Sequence, residues 1–250
     1  MTRDQDAPGA LRVARRLDAA FFARPSPEVA RDLVGALLVR ADDGIVVRLV
    51  ETEAYLQEDP ACHAYGSRTA RNEPLWRAGG HAYVYFSYGM HWCLNTSTGS
   101  EGHAQGVLLR AAEPLRGMAA MRARRGRVSD RDLLRGPALL AQALGLDGSW
   151  SGMDLCAGGV LHLADDGCRP AVEATPRTGV SRGADLPWRF VQRESRWASP
   201  HRRSPRAAPP GAEDLSSVEA LHPYLSGLPG LPYRPGLPGG STGRRTGPPR

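Results

Sequence analysis

Two acids two residues apart, Glu51 and Glu53, run directly into Tyr55, and His63, Tyr83, Tyr85 and Tyr88 all follow within forty residues of Glu51. A carboxylate can take up or deliver a proton during a reaction, and a flat aromatic face can hold a flat substrate. Glu53, next to Tyr55 and among apolar residues, has the means to activate a water as a general base. Glu51 competes for that role on sequence grounds alone. Paired acids also suit a glycoside hydrolase, in which their separation sets the stereochemical course. The plainer alternative for a lone glutamate is a surface residue capping a sheet edge.

The other candidates differ in how much they say. His63 lies in the loop-like segment Cys62-His63-Ala64-Tyr65-Gly66-Ser67-Arg68, where it can bond a phosphate or a base edge, or simply meet solvent. Arg68, Arg71 and Asn72 nearby can contact phosphates or be solvated. Tyr83 and Tyr85 alternate with Val84 and Phe86, so one strand face presents phenol rings while Val84, Phe86 and Trp92 read as packing residues. Tyr88 stands at a hairpin tip beside Gly89. Packing explains a large ring at an exposed tip poorly, because burial is what normally holds such residues. Tips of this kind can wedge into a DNA step and fill the gap that an extruded nucleotide leaves.

The elements that must position these residues mix helix and strand. Ser26-Pro27-Glu28 predicts a helix start, with a capping hydroxyl and proline at the first helical position, and Val29, Leu33, Leu37 and Leu38 continue at helical spacing to about Val39. Asp42-Asp43-Gly44 is a turn signal leading into the β-rich run Ile45–Val50, so the two acids are expected where that strand leaves the sheet. A strand at Tyr83–Tyr88, a reversal at Gly89-Met90 and a returning arm at Trp92–Asn95 make a hairpin. Val107–Arg110 reads as a short buried strand, Leu115–Arg125 and Leu133–Leu144 as helices with a break near Gly136-Pro137, and Trp188–Val191 as a last strand.

Composition sets the outer bounds. A chain of 250 residues with 41% apolar side chains can bury a sizeable core. No window approaches a membrane-spanning run, and Met1–Asp6 lacks the apolar stretch of a secretory signal, so the expected address is cytoplasmic. Cys62, Cys93, Cys156 and Cys168 are scattered without metal-ligand spacing, which points to reduced structural thiols and no metal. Eleven of the 21 prolines lie from Pro200 onward, and Pro and Gly at that density predict a disordered tail over 200–250. Residues 1–15 look equally loose, leaving one compact α/β domain over 16–199. Seven arginines against three acids give the tail +4 of the formal charge of +6, so a nucleic-acid surface on the folded part must be a local patch. All 32 basic side chains are arginine.

Taken together, Val50-Glu51-Thr52-Glu53-Ala54-Tyr55, Arg71-Asn72, Tyr83-Val84-Tyr85, Tyr88-Gly89-Met90, Asn95 and Val107-Leu108-Leu109-Arg110-Ala111-Ala112-Glu113-Pro114 resemble the alkyladenine DNA glycosylase family, the 3-methyladenine DNA glycosylases of the mammalian type with bacterial relatives. The match runs in consistent order over roughly residues 16–199. The resemblance implies an α/β (α+β) fold: a single mixed domain with a curved antiparallel sheet, surrounding helices and a protruding β-hairpin, without metal or cofactor. It implies that Glu53 deprotonates the attacking water and Arg110 orients it. Tyr55, His63 and Tyr85 would line the pocket for a flipped base, and Asn95 would crowd the amino group of normal guanine. Tyr88 would occupy the vacated space in the duplex with Met90 beside it, and Arg71 and Asn72 would meet DNA.

The implied partner is double-stranded DNA carrying damaged purines, met by a monomer at the nucleoid, with no membrane. The loop departs from the family pattern at Cys62, Ala70 and Glu73-Pro74-Leu75-Trp76, which bears on substrate range. Glycosylases that also cut the strand use an amine to form a Schiff base. No side-chain amine exists here, so base release without strand cleavage is expected. Two other classes use fewer of these features: a hydrolase of free nucleosides or glycosides built on Glu51 and Glu53, and a non-catalytic nucleic-acid-binding module.

Overall fold

The computed structural model describes residues 14–211. Most of the expected loose ends, residues 1–13 and 212–250, lie outside the described residues. In chain order the elements are β1 (Arg15–Arg16), α1 (Ala19–Phe22), α2 (Ser26–Asp32), β2 (Leu37–Arg40), β3 (Ile45–Leu56), β4 (Ala82–Ser87), β5 (His91–Ser97), β6 (Gln105–Arg116), α3 (Met118–Arg125), α4 (Pro137–Ala143), β7 (Leu161–Asp165), β8 (Val172–Thr175) and β9 (Arg189–Gln192). The strands form one open, mixed-length antiparallel sheet in the order β1-β7-β2-β3-β6-β5-β4, with β9 also pairing β3 and β8 pairing β9. The fold is therefore a mixed α/β domain with an antiparallel sheet, as the resemblance implies.

β3 and β6 form the spine. They pair along nearly their whole length, and β3 uses its other edge twice, against β2 through Ile45–Arg48 and against β9 through Glu51–Glu53. The acids thus sit in the interior of a central twelve-residue strand, not where a strand leaves the sheet. Both are fully buried. The expectation failed because Glu and Ala are weak strand formers, and pairing on both edges keeps this run extended.

Two opposed irregularities decide which way the acids face. Leu49 pairs Ala112 while Glu51 pairs Ala111, so Val50 is an extra residue on β3; Glu51 pairs Ala111 while Thr52 pairs Leu109, so Arg110 is an extra residue on β6. A single inserted residue flips the alternation of everything beyond it. Ile45, Val47 and Leu49 point into the main core on one side of the break, and Ala54 and Leu56 do so on the other. On β6 the same switch runs from Val107 and Leu109 to Ala112. Without the bulge, Glu51, Glu53 and Tyr55 would share a face with Ile45, Val47 and Leu49.

The helices cover the core face. Val29, Ala30 and Leu33 are buried in the same core as Phe22, Leu140 and Trp188. α2 stops at Asp32, and Leu37–Arg40 is a strand, which corrects the expected helix to Val39. Short apolar runs do not separate the two periods. Ser26 does not cap its helix: its hydroxyl donates to the Tyr55 carbonyl at 2.9 Å, and Thr52 Oγ1 donates to the Ala30 carbonyl at 2.7 Å near the C-terminal end. Both bonds tie α2 to the strand that carries the acids. Val107–Arg110 belongs to the twelve-residue β6, far longer than its apolar run. Phe86, read as a packing residue, is exposed, with its ring 4.8 Å from that of Trp92. Beyond β9 the chain stays against the body to Gly211, whose N–H donates to Asp185 at 2.9 Å.

Deleting Val50 tests the switch directly. The deletion forces either the loss of the β3–β6 ladder or the burial of both acids in the apolar core, at several kcal/mol each. Against a total stability of about 5–15 kcal/mol this is enough to unfold the domain, so circular dichroism and thermal melting should show no cooperative transition, whereas Val50→Ala should retain one.

Candidate active site

Glu51 and Glu53 differ in how fully their lone pairs are used. Glu51 Oε1 accepts from Arg110 Nε at 2.7 Å, Arg189 Nε at 2.7 Å and Ser199 Oγ at 2.8 Å, and Oε2 accepts from the Ser199 N–H at 2.6 Å. A carboxylate has about four acceptor sites, two per oxygen, and Glu51 meets four donors, three of them crowded on Oε1. Burial alone would push its pKa up, but the Arg110 and Arg189 guanidiniums outweigh this and hold it below the ordinary glutamate value. Glu53 accepts three bonds: Tyr55 Oη at 2.9 Å and Arg110 Nη1 at 3.1 Å on Oε2, and the Thr178 N–H at 2.7 Å on Oε1. That leaves one acceptor site. The two acids differ more clearly in where their donors lie: all three donors to Glu53 border the cavity described below, whereas Arg189 and Ser199, which bond Glu51, do not.

The sheet aligns the rest. Across β9, β3, β6, β5 and β4 the directly opposed residues are Arg189, Glu53, Leu108, Asn95 and Tyr83, a single row. In front of it lies a cavity of about 570 Å³, lined by Tyr55, His63, Tyr83, Tyr85, Asn95 and Arg110 and by the loop Thr178–Arg182. Glu53 sits one layer behind, with Tyr55, Arg110 and Thr178, its three partners, all on the wall. Burial, with Glu53 close by, pushes the Tyr55 phenol well above its usual value, so it remains a donor. Burial pulls the Arg110 guanidinium down, but Glu53 and Glu51 outweigh that and hold it charged.

The aromatic wall is a packed unit. The Tyr83 and Tyr85 rings lie 5.4 Å apart at 30°, and the His63 ring meets Tyr85 edge-on at 4.4 Å while its Nδ1 bonds Tyr83 Oη at 3.0 Å. Desolvation, and then Arg71, lower the His63 pKa, which keeps the imidazole neutral at pH 7. Cys62, Leu75 and Trp76, three of the departures from the family pattern, pack with Tyr83 and Tyr55 in a small second apolar cluster beneath this wall. Burial raises the Cys62 thiol to about 12, making it an inert packing group.

The hairpin tip borders the same cavity. Tyr88 is 89% exposed and Met90 67% exposed. Tyr88 (φ 50) and Gly89 (φ 67) supply the two left-handed residues of a tight hairpin turn. Arg71 is exposed at the cavity and donates to the Phe86 carbonyl at 2.9 Å, whereas Asn72 is buried. Its amide donates to the His63 and Ser67 carbonyls and accepts from the Thr69 N–H and Trp76 Nε1, so it shapes the loop and does not face the cavity. Sequence reasoning missed Arg189, Ser199 and the Thr178 N–H, which lie 125 or more residues from the acids they touch. Nothing local to them gives a signal. Among the described residues no group of three or more His, Cys, Asp or Glu side chains could hold a metal, and no helix is long and apolar enough to cross a membrane.

Known proteins match most of this chain. Residues 20–196 match the model of the family described as methylpurine-DNA glycosylase. A Carboxydothermus hydrogenoformans protein carrying the name "Putative 3-methyladenine DNA glycosylase" is 45% identical over 185 residues, which covers 72% of this chain and 96% of that protein. Proteins of the same name from Burkholderia orbicola and Rhodopseudomonas palustris (strain BisB18) are 48% identical over 185 residues and 45% identical over 197; the matches cover 72% and 78% of this chain, and 89% and 96% of those proteins. The chain belongs to the methylpurine-DNA glycosylase family and is an enzyme that hydrolyses N-glycosyl bonds.

Glu51→Gln tests the charge cluster. Weakening the anion that Arg110 and Arg189 share should cost up to about 3–5 kcal/mol at pH 7. Because the folded pKa of Glu51 is depressed, its stabilisation is complete above the ordinary value of 4.5 and is lost as pH falls through the folded value. Thermal melts from pH 7 downward should therefore show a lower Tm for the variant at pH 7 and a shallower decline below about pH 4.5.

Proposed function

We propose that the enzyme rotates a damaged purine out of duplex DNA into the aromatic cavity and hydrolyses its N-glycosidic bond with a water activated by Glu53. The observation that carries this reading is the single free acceptor site on a carboxylate whose three partners, Tyr55, Arg110 and Thr178, all line the cavity. A water in that site gives its proton to Glu53 as its oxygen bonds the sugar carbon. The C–N bond breaks with its electron pair leaving on the base. A base that is positively charged by alkylation departs neutral and leaves most readily. Arg110 fixes the orientation of Glu53 and the water.

Extruding a nucleotide costs a few kcal/mol, least where damage already weakens its pairing. Stacking of about 1–3 kcal/mol per aromatic contact offsets much of that. Tyr55, His63 and Tyr85, all on the cavity wall, supply such faces. Tyr88, with Met90 beside it, fills the vacated space in the duplex, Arg71 meets the backbone, and Asn95 in the cavity wall excludes the amino group of normal guanine. The substrate class is 3-methyladenine-type damage in double-stranded DNA, the lesion that the relatives' names carry. The enzyme acts as a monomer in the cytoplasm at the nucleoid, and leaves an abasic site without cutting the strand.

Three outcomes follow for oligonucleotides bearing a single lesion. Glu53→Gln should slow base release by about 10²–10⁴-fold while binding to damaged duplex persists; loss of binding together with release would refute the role of general base. Tyr88→Ala should weaken damage-specific binding by roughly tenfold with Tm unchanged, since the ring packs against little. Incubation with borohydride should trap no covalent adduct, and any lysis of the abasic strand through such an adduct would contradict a monofunctional enzyme.

A further inference from the structure

Behind Tyr55 lies an ion pair that the mechanism leaves unused. Arg177 and Asp59 side chains are both 0% exposed and bonded to each other through both terminal nitrogens, one of them at 2.9 Å. The guanidinium also donates to the Ala54 and Gly183 carbonyls, each at 3.1 Å. Its central carbon lies 4.7 Å from the centre of the Tyr55 ring and 5.3 Å from that of Trp188. Tyr55 is itself on the cavity wall. A cation therefore backs the ring that would receive a flipped base.

An aromatic face attracts a positive charge through its quadrupole. A second cation on the opposite face competes for the same ring and repels the first through it. With van der Waals stacking added to the distance above, the two charges would be roughly 8 Å apart, and at an effective dielectric of about 20 this repulsion costs at least tenfold in affinity. Salt would not remove it, because both groups are out of solvent. Asp59 cancels the Arg177 charge and leaves the ring with a neutral backing.

We propose that Asp59 is a specificity-determining residue: by neutralising Arg177 behind Tyr55 it allows the cavity to accept a purine that carries a positive charge. Arg177 in turn is a positioning residue, since Thr178, which follows it in the chain, donates its N–H to Glu53. This inference rests on the base-flipping reading above, and the test keeps the two apart.

In the full chain carrying Glu53→Gln, so that lesions are bound and not released, affinity is measured for duplexes with a central 7-methylguanine, which is cationic, or a central hypoxanthine, which is neutral. The ratio of the two affinities is the readout. Asp59→Asn added to that background should lower the preference for the cationic base by about tenfold. Arg177→Gln, which leaves the Asp59 charge behind the ring, should raise it. A general packing defect would not move the ratio in opposite directions. A ratio within twofold of the parent in a variant shown to be folded by circular dichroism, or shifts of the same sign in both variants, overturns the inference; if only one variant folds, the sign of its shift decides. If the parent binds neither lesion more tightly than undamaged duplex, the base-flipping reading itself fails.

Discussion

Four charges in the middle of a sheet must cancel, and this requirement organises the molecule. Glu51 and Glu53 on β3, Arg110 on β6 and Arg189 on β9 are each buried and sum to zero. Removing a charge from water without a partner costs several kcal/mol, a large share of what holds a domain together. The strands that deliver the partners must therefore flank β3 at the same place. That place is where β3 passes from β2 to β9 on one edge and where the irregularity with β6 falls on the other. The chain beyond β9 returns so that Ser199 can fill the remaining sites on Glu51.

Under the proposed reading, committing one acid to the buried arginines is what leaves the other to its chemistry. Glu51 acts as a structural counter-ion that meets four donors, and it holds Arg110 by Nε so that Nη1 reaches Glu53. Glu53 is left with rigid partners and one open position. The aromatic wall is held in a similar way, through side chains bonded to each other and to the loop: His63 to Tyr83, and Asn72 to the backbone on both sides of His63. A cavity built so needs little rearrangement to receive a flat guest.

Legibility followed the range of the interactions. The hairpin around Tyr88 was readable, since alternation and a Gly turn are local signals. So was the association of Glu53 with Tyr55, two residues apart on one strand. The placement of the acids was misread: the bulge at Val50 has no local composition cue and is set by the partner strand. The stretch from Leu33 to Val39 fits a helical period as well as it fits a helix end followed by a buried strand. Partners more than a hundred residues away, such as Arg189, Thr178 and Asp59 with Arg177, leave no trace in a local pattern, because each is an unremarked polar residue in its own neighbourhood. Asn72 shows the opposite failure: a residue in a motif was credited with contact when it holds the loop from within.

The left-handed backbone at Tyr88 bears on how such a protein would search. Holding a bulky residue there costs of order 1–2 kcal/mol, and that cost is met during folding, before any duplex is encountered. Under the proposed reading the ring is presented in its final pose at every step along the helix. Interrogation of each base pair then requires no loop opening, and the pace of scanning is set by diffusion of the protein and breathing of the DNA.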